Sequence, residues 1–399
     1  VLDPACGSGA FLFAALNVLE PLYEACLERM QRFVEAAEDE RSFRDFREIL
    51  AEMKTHPNPR YFVLKSIIVD NLYGVDVMEE AVEIARLRLF LKLMGQLEHA
   101  EEIEPLPDID FNIRAGNTLV GFASFAEFRE YRKRKLGIDD RAAERIEAGG
   151  AEAGAAFGRF REMQVEGGAD SEDFRRAKAD LRGRLEDLEA ELDRYLALQW
   201  GVGEDDEEGL QAWRVSHRPF HWCVDFYGIM ESGGFDAIVG NPPYVVYNPE
   251  KVGYKVEPIG YATLPTKNLY AFMFERSLAL AKPCSPVGLI VQLTSVSGQK
   301  LPPLQDLLLS RTGLRALPFP RRPESVFDGV EMPVAILLSL PEHAREPTED
   351  SAGSFVTSGV QRFYTQERPH AFELVSLARH RVRLQGHRIA KIGSAGEVG

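Results

Sequence analysis

The segment that most constrains this chain is Asn241-Pro242-Pro243-Tyr244, which follows a short apolar run at 235–240. A strand cannot extend its ladder through two consecutive prolines, because each removes a backbone donor and holds φ near about −65°. The sequence therefore predicts a short buried strand that ends at this point. The loop after it presents a side-chain amide, a backbone carbonyl and an aromatic ring.

This set of groups suits a planar ring that carries an exocyclic amine. The side-chain oxygen of Asn241 and the carbonyl of Pro242 can each accept one amine hydrogen, and the ring of Tyr244 offers a face for stacking. Adenine is the obvious ring of this kind. No cysteine adjoins the segment, which argues against chemistry that needs an attacking thiolate at this position.

Three further groups suited to ligands follow predicted strands. The chain opens with a glycine-containing turn, residues 3–9, Asp76 ends a second strand and Asn117 ends a third. Taken singly, these are compatible with a packing turn, a helix N-cap and a turn-forming asparagine. Open α/β sheets bind ligands outside the carboxyl ends of their strands, so the ordered succession of these groups favours a ligand site.

Helical and strand-like segments alternate along the chain, which predicts an α/β fold with a doubly wound sheet. Helices are expected at 10–30, 41–53, 79–94, 171–198 and 268–281, and strands at 67–77, 111–114, 235–240, 287–293, 315–319 and 334–340. Residues 124–210 differ in composition and carry leucines at heptad-like spacing between 181 and 196. We interpret this part as an inserted helical hairpin, either solvated or packed as an arm, in preference to a specific partner contact.

Composition narrows the class of protein. The formal net charge of −15 arises from residues 1–231, whereas residues 232–399 are slightly basic. The four cysteines show no close pairing, so we expect neither a disulfide framework nor a metal site. We expect a reducing, cytoplasmic location instead. No continuous apolar run reaches the ~18 residues typical of a membrane span, so no membrane partner is expected.

The motifs together resemble those of the adenine-N6 DNA methyltransferases, in particular the large, type IIG-like methylases of restriction–modification and phage-exclusion systems. The matching segments are Asp3-Pro4-Ala5-Cys6-Gly7-Ser8-Gly9-Ala10-Phe11-Leu12, then Gly74-Val75-Asp76, then Gly116-Asn117-Thr118-Leu119, then residues 234–244 with Asn241-Pro242-Pro243-Tyr244. The resemblance covers about residues 1–340, and the motif order is similar to the gamma arrangement. It implies a Rossmann-like methyltransferase sheet and transfer of a methyl group to the N6 amine of an adenine flipped out of double-stranded DNA.

The resemblance also implies a cofactor, S-adenosyl-L-methionine, and roles for particular residues. The cofactor-binding residues would be Asp3, Ala5, Cys6, Gly7, Gly9, Asp76, Asn117 and Thr118. Asn241, Pro242 and Tyr244 would be catalytic. Phe327, in the segment 326–330, resembles the aromatic residue that stacks on the extruded base together with Tyr244; a core phenylalanine at a strand start is the alternative.

The sequence lacks three features of this family. The cofactor motif upstream of the first strand is absent, the target-recognition domain is missing apart from a first stretch after residue 342, and no nuclease motif is recognisable. We therefore expect a fragment that is incomplete at both ends, with a nuclease or a specificity domain or subunit outside it. Because of the net charge, the main DNA-binding surface is also expected elsewhere.

We divide the chain into a cofactor-binding half at 1–123, a helical insert at 124–231, a catalytic half at 232–341, and the start of a linker or target-recognition region at 342–399. Two other functions stay open. A glutamine-N5 protein methyltransferase also uses Asn-Pro-Pro-Tyr, because a side-chain amide presents a similar planar amine. A catalytically idle DNA-binding subunit is the second alternative.

Overall fold

The structure is a computed structural model that describes residues 1–37, 39, 41–97, 109, 111–134, 140–165, 172–297, 301–309, 314–322, 325, 327, 332–340, 355–358 and 378–380. The chain divides into two compact units, residues 1–116 and 117–399. Most of the predicted linker or target-recognition region at 342–399 lies outside the described residues.

The first unit is built from parallel strands and the helices that connect them. Its elements are β1 (Leu2–Asp3), α1 (Ala10–Ala36), α2 (Arg44–Thr55), α3 (Pro59–Asn71), β2 (Tyr73–Asp76), α4 (Glu79–Met94) and β3 (Ile113–Ala115). Strand β2 pairs in parallel with both β1 and β3. A parallel pair needs a crossover connection, and here each crossover contains at least one helix.

The strand predicted from residue 67 onward is wrong in its first half, because residues 67–71 belong to α3. Asn58 caps this helix: its side-chain oxygen accepts a hydrogen bond from the backbone N–H of Tyr61, and Pro59 occupies the first turn. Tyr61, Leu64 and Ile68 are buried at helical spacing. The tertiary core therefore overrides the strand propensity of the β-branched residues.

Among the described helices, α1 is the one long and apolar enough to cross a membrane by length and composition alone. The uninterrupted apolar runs of the sequence predict no such segment, because each of them is too short. In the first unit, Leu12 and Leu16 of this helix are fully buried in the hydrophobic core with residues of α3 and α4.

The second unit begins with helices and continues into a mixed sheet. Its elements are α5 (Phe125–Arg134), α6 (Asp140–Val165), α7 (Glu172–Leu198), α8 (Glu207–His217), α9 (Trp222–Asp225), α10 (Tyr227–Glu231), β4 (Ile238–Gly240), α11 (Pro249–Val252), α12 (Leu269–Leu280), β5 (Val287–Gln292), α13 (Thr294–Ser297), α14 (Pro302–Leu309), β6 (Leu314–Phe319), β7 (Val334–Ser339), β8 (Phe355–Thr357) and β9 (Ala378–His380). Strands β4 and β5 are parallel, whereas β7 lies antiparallel between β5 and β6.

Helices α6 and α7 form the predicted inserted hairpin. Its base is buried against the rest of the second unit: the ring of Tyr195 meets that of Phe128 edge-to-face, and the carboxylate of Asp193 contacts His221 and Arg214. The arm is therefore anchored at its base. With this hairpin and the helix-connected parallel strands, the prediction of an α/β, doubly wound, Rossmann-like fold with an inserted helical hairpin is confirmed.

Candidate functional site

The turn after β1 holds the first predicted ligand residues. Asp3 is 1% exposed, and one of its carboxylate oxygens accepts a 3.1 Å hydrogen bond from the backbone N–H of Ala5. Gly7 has a left-handed φ of 50°, and among the described residues no heavy atom beyond Gly7 and its two chain neighbours lies within 4 Å of the position that a Cβ would take there. Gly9, also left-handed, immediately precedes α1. The turn thus leaves open space next to Gly7 that a ligand could approach closely.

Asp76 lies at the carboxyl end of β2, and its carboxylate binds both the turn after β1 and the turn before α4. Its Oδ2 accepts from the N–H of Gly7 at 2.9 Å, and its Oδ1 accepts from the N–H of Met78 at 2.9 Å. Met78, not Asp76, is the N-cap residue of α4. A carboxylate oxygen has a second lone pair, so each oxygen of Asp76 can accept a further hydrogen bond from a ligand hydroxyl.

Burial shapes the protonation of this region. Desolvation raises the pKa of Asp3 to about 7, and the nearby charge of Asp76 acts in the same direction. Desolvation, with Asp3 and Asp76 nearby, also raises the pKa of the Cys6 thiol far above its ordinary value. Cys6 is therefore a protonated, buried residue of the turn and has no thiolate with which to attack.

Asn117 and Thr118 are buried at the start of the second unit. The side-chain oxygen of Asn117 accepts a 3.1 Å hydrogen bond from the N–H of Leu119. The side-chain nitrogen of Asn117 has no hydrogen-bond partner among the residues that the structure describes, and the residue is only 4% exposed. An unsatisfied buried donor is costly, so this amide suits a ligand that supplies an acceptor.

The predicted catalytic loop follows β4, as the two prolines require. Asn241 is exposed, Pro242 is buried and Tyr244 is half-buried. The hydroxyl of Tyr244 donates a 2.6 Å hydrogen bond to Oδ1 of Asn241, and its ring meets that of Tyr270 edge-to-face with centroids 6.4 Å apart. Burial raises the pKa of Tyr244 to about 12, so the phenol stays protonated and keeps its donor at neutral pH.

Backbone hydrogen bonds hold the continuation of this loop against the start of α12. The N–H of Leu269 donates to the carbonyl of Val245 at 3.1 Å, and the N–H of Tyr247 donates to the carbonyl of Lys267 at 2.8 Å. The loop that carries Asn241 and Tyr244 is thus continuous with a fixed stretch of backbone, although it lies outside regular strands.

The structure brings together Asn241, Pro242 and Tyr244 in the second unit, and Asp3, Gly7 and Asp76 in the first. Phe327 is half-buried, and its carbonyl accepts a 2.9 Å hydrogen bond from the hydroxyl of Ser325. Its neighbours at 326 and 328–330 lie outside the described residues. A stacking role for Phe327 stays a prediction.

Sequence reasoning missed Arg276, which is buried in α12 and contacts Glu127 and Tyr261. The signal was present: α12 is apolar over most of its length, and a charge on such a helix is buried only with partners. The sequence does not say which partners these are, because Glu127 is 149 residues away.

Residues 70–327 match the family described as Eco57I restriction-modification methylase, and residues 1–119 match the family described as MmeI, DNA-methyltransferase domain. The first match covers more than half of the chain. A protein of Methanocaldococcus jannaschii named as a type II restriction enzyme and methyltransferase is 26% identical over 384 residues, covering 85% of this chain and 29% of that protein. The chain therefore spans under a third of this relative's length.

Solved structures of restriction–modification enzymes are similar at low sequence identity. One is a nuclease-deletion mutant of the Type ISP enzyme LlaGI in complex with a DNA substrate mimic, with a TM-score of 0.48 and 12% identity, covering 97% of this chain and 24% of that chain. Another is the ATP-dependent Type ISP enzyme LlaBIII bound to DNA, with a TM-score of 0.45 and 13% identity, covering 93% of this chain and 18% of that chain.

Proposed function

The chain belongs to the family of Eco57I restriction-modification methylases, and on that premise we propose that it transfers a methyl group from S-adenosylmethionine to the N6 amine of an adenine flipped out of DNA. The loop of Asn241, Pro242 and Tyr244 is the observation that carries this proposal. It combines an exposed side-chain amide, a proline carbonyl and an aromatic ring within four residues.

Two features of the chain fit the proposed cofactor, which would supply an electrophilic methyl group. In the first unit, the open turn at Gly7 leaves room for close approach, with Asp3, Ala5, Cys6 and Gly9 around it, and both oxygens of Asp76 can accept from ribose hydroxyls. In the second unit, the unpaired buried amide of Asn117, beside Thr118, could donate to a ring nitrogen of its adenine. These residues would bind and orient the cofactor.

The chemical task of the catalytic loop follows from the amine. The lone pair of adenine N6 is delocalised into the ring, which makes the nitrogen a poor nucleophile. Asn241 Oδ1 and the Pro242 carbonyl, each accepting one amine hydrogen, would favour a pyramidal nitrogen with its lone pair directed out of the ring plane. Such preorganised acceptors and in-line positioning need no covalent intermediate on the protein.

Tyr244 would hold the flipped base by stacking, with Phe327 on the other face as a second proposed partner. Extruding a base costs a few kcal/mol, which stacking on an aromatic ring partly offsets. The hydrogen bond from Tyr244 to Asn241 uses one of the two lone pairs on Oδ1. The second lone pair stays available for the amine hydrogen.

The test is methylation of DNA by the full-length protein, read out by quantifying N6-methyladenine. Asn241→Ala should lower the rate at least ~10²-fold, because it removes a preorganised acceptor without touching the core. Asn248→Ala is the matched control: Asn248 lies in the same loop and caps α11 through its own side chain. A rate for Asn241→Ala within tenfold of wild type would contradict the mechanism.

The same assay separates the two alternatives. Methylation of a glutamine-containing peptide in place of DNA would indicate a glutamine-N5 protein methyltransferase. DNA binding without methyl transfer to either substrate would indicate an idle subunit. We propose double-stranded DNA as the partner, a nuclease or specificity domain or subunit outside residues 1–399, and a cytoplasmic location.

A further inference from the structure

A buried arginine joins distant segments of the second unit. Arg276, on α12, is 1% exposed, and its three donor nitrogens are all used. Nε donates to the hydroxyl of Tyr261 at 2.9 Å, Nη1 donates to Oε2 of Glu127 at 2.8 Å, and Nη2 donates to the carbonyl of Gly121 at 3.0 Å. A buried guanidinium is tolerated only when its N–H groups are satisfied. We call Arg276, Tyr261 and Glu127 the arginine cluster.

The cluster holds the backbone of residues 119–123 by hydrogen bonds. The hydroxyl of Tyr261 donates a 2.9 Å hydrogen bond to the carbonyl of Leu119, and Oε2 of Glu127 accepts from the N–H of Ala123. With the bond from Arg276 to Gly121, three backbone groups within five residues are held by three side chains that are bonded to one another. Removing one side chain should therefore loosen the whole segment.

The chain around Phe220 constrains the same segment. Gly121 has a φ of 133°, and a Cβ there would lie 2.1 Å from the carbonyl oxygen of Phe220, so no other residue fits. The N–H of Phe220 donates to the carbonyl of Val120 at 2.7 Å. Residues 119–123 are therefore held both by the arginine cluster and by the chain around Phe220.

Leu119 connects the cluster to Asn117. Its carbonyl accepts from Tyr261, and its N–H donates to the side-chain oxygen of Asn117 at 3.1 Å. The orientation of the Asn117 amide, and so the direction of its unpaired buried N–H₂, therefore depends on Leu119, which is hydrogen-bonded to the cluster. Tyr261 thus acts on Asn117 through two hydrogen bonds.

The same helix also supports the loop of Asn241 and Tyr244. At the start of α12, the N–H of Leu269 bonds to the carbonyl of Val245, and the ring of Tyr270 contacts that of Tyr244. Arg276 lies seven residues further along, about 10 Å along the helix axis. Helix α12 therefore contacts the loop of Tyr244 through its first residues and residues 119–123 through Arg276.

We infer that the arginine cluster is a positioning device that holds residues 117–119 in a fixed orientation relative to the loop of Asn241 and Tyr244. It keeps the Asn117 amide oriented for the acceptor of a bound ligand, and none of its side chains touches the reacting atoms. The inference rests on the proposed function in one respect, the identity of that ligand as S-adenosylmethionine.

Tyr261→Phe tests this in the full-length protein, because it removes the hydroxyl and keeps the ring. Tyr195→Phe is the matched control: Tyr195 is 2% exposed in the same unit, and its buried hydroxyl has no hydrogen-bond partner in the described part of the chain. We expect Tyr261→Phe to raise the Kd for S-adenosylmethionine about fivefold, the effect of losing one neutral hydrogen bond from the Asn117 amide to the ligand, and Tyr195→Phe to leave the Kd unchanged. A lower Tm with an unchanged Kd in Tyr261→Phe would overturn the inference.

Hydrogen exchange in the absence of ligand gives a readout that does not depend on the proposed function. The amides of residues 119–123 should exchange faster in Tyr261→Phe than in wild type or Tyr195→Phe, and wild-type exchange in that segment would overturn the inference. If Tyr261→Phe does not fold, Glu127→Gln should give the same direction of change. Failure of the wild-type protein to bind S-adenosylmethionine would refute the proposed ligand, whereas the exchange result still decides whether the cluster orients the segment.

Discussion

The hydroxyl of Tyr244 donates a 2.6 Å hydrogen bond to Oδ1 of Asn241, so two of the proposed catalytic side chains orient each other. The bond spans only three residues, which the two prolines between them make possible by fixing the turn. This bond leaves the Tyr244 ring free for its proposed stacking on the flipped base, and it leaves one lone pair of Asn241 Oδ1 for the proposed hydrogen bond from the amine. The roles of the two side chains can therefore be separated by mutation.

Tyr244→Phe removes the hydroxyl and keeps the ring. We expect it to slow methylation by about tenfold or less, because a neutral hydrogen bond contributes ~1 kcal/mol, whereas Asn241→Ala should cost at least ~10²-fold. Tyr254→Phe, at a half-buried tyrosine ten residues away, is the control and should be neutral. Equal losses in Tyr244→Phe and Asn241→Ala would mean that the hydroxyl itself is essential.

Asp76→Ala should weaken S-adenosylmethionine binding by roughly ten- to a hundredfold, since it removes charge-assisted hydrogen bonds and releases the turn at Gly7. The measurement is calorimetric titration. Asp206→Ala is the control, because Asp206 caps α8 by accepting from the N–H of Gly209. It should lower stability by about 1 kcal/mol without changing the Kd. If Asp76→Ala behaves like Asp206→Ala, Asp76 is a turn-forming residue only.

Asp3 should make stability depend on pH. Because burial raises its pKa from 3.8 to about 7, the folded chain retains a proton that the unfolded chain releases near pH 4. The free energy of unfolding should therefore fall as the pH rises from about 4 to 7, by at most ~1.4 kcal/mol per pH unit from this group. Asp3→Asn should flatten that slope in thermal unfolding. The exposed Asp236→Asn should keep the slope, and an unchanged slope in Asp3→Asn would contradict the prediction.

We expect the hairpin of α6 and α7 to tolerate replacement of residues 160–179 but not loss of its base, which contains Asp193 and Tyr195. Replacing residues 160–179 with a Gly/Ser linker should change Tm by a few degrees at most, because loop length enters stability only logarithmically. Replacing 124–210 removes Asp193 and Tyr195 and uncovers His221, which is fully buried. We expect little soluble protein from that replacement. Wild-type Tm and yield would show instead that the whole insert is a dispensable, solvated arm.

Local patterns predicted the elements whose boundaries depend on nearby residues. Helix α4 has the predicted bounds, with glutamates in its first turn and a lysine in its last, as the helix dipole favours. β4 ends where the prolines require it to end. The β-branched residues at 67–69 favour a strand by local propensity, but packing in the buried core with Tyr61 and Leu64 makes this segment helical.

The groups of the candidate catalytic loop could be predicted from local sequence, because Asn241, Pro242 and Tyr244 are neighbours in the chain and need no long-range contact to come together. The contacts that support this loop and the rest of the second unit depend on long-range packing instead. The insertion of β7 between β5 and β6 and the pairing of Arg276 with Glu127 join residues far apart in the chain. Such pairings depend on which buried polar groups can satisfy each other in the folded core, a condition that no local pattern encodes.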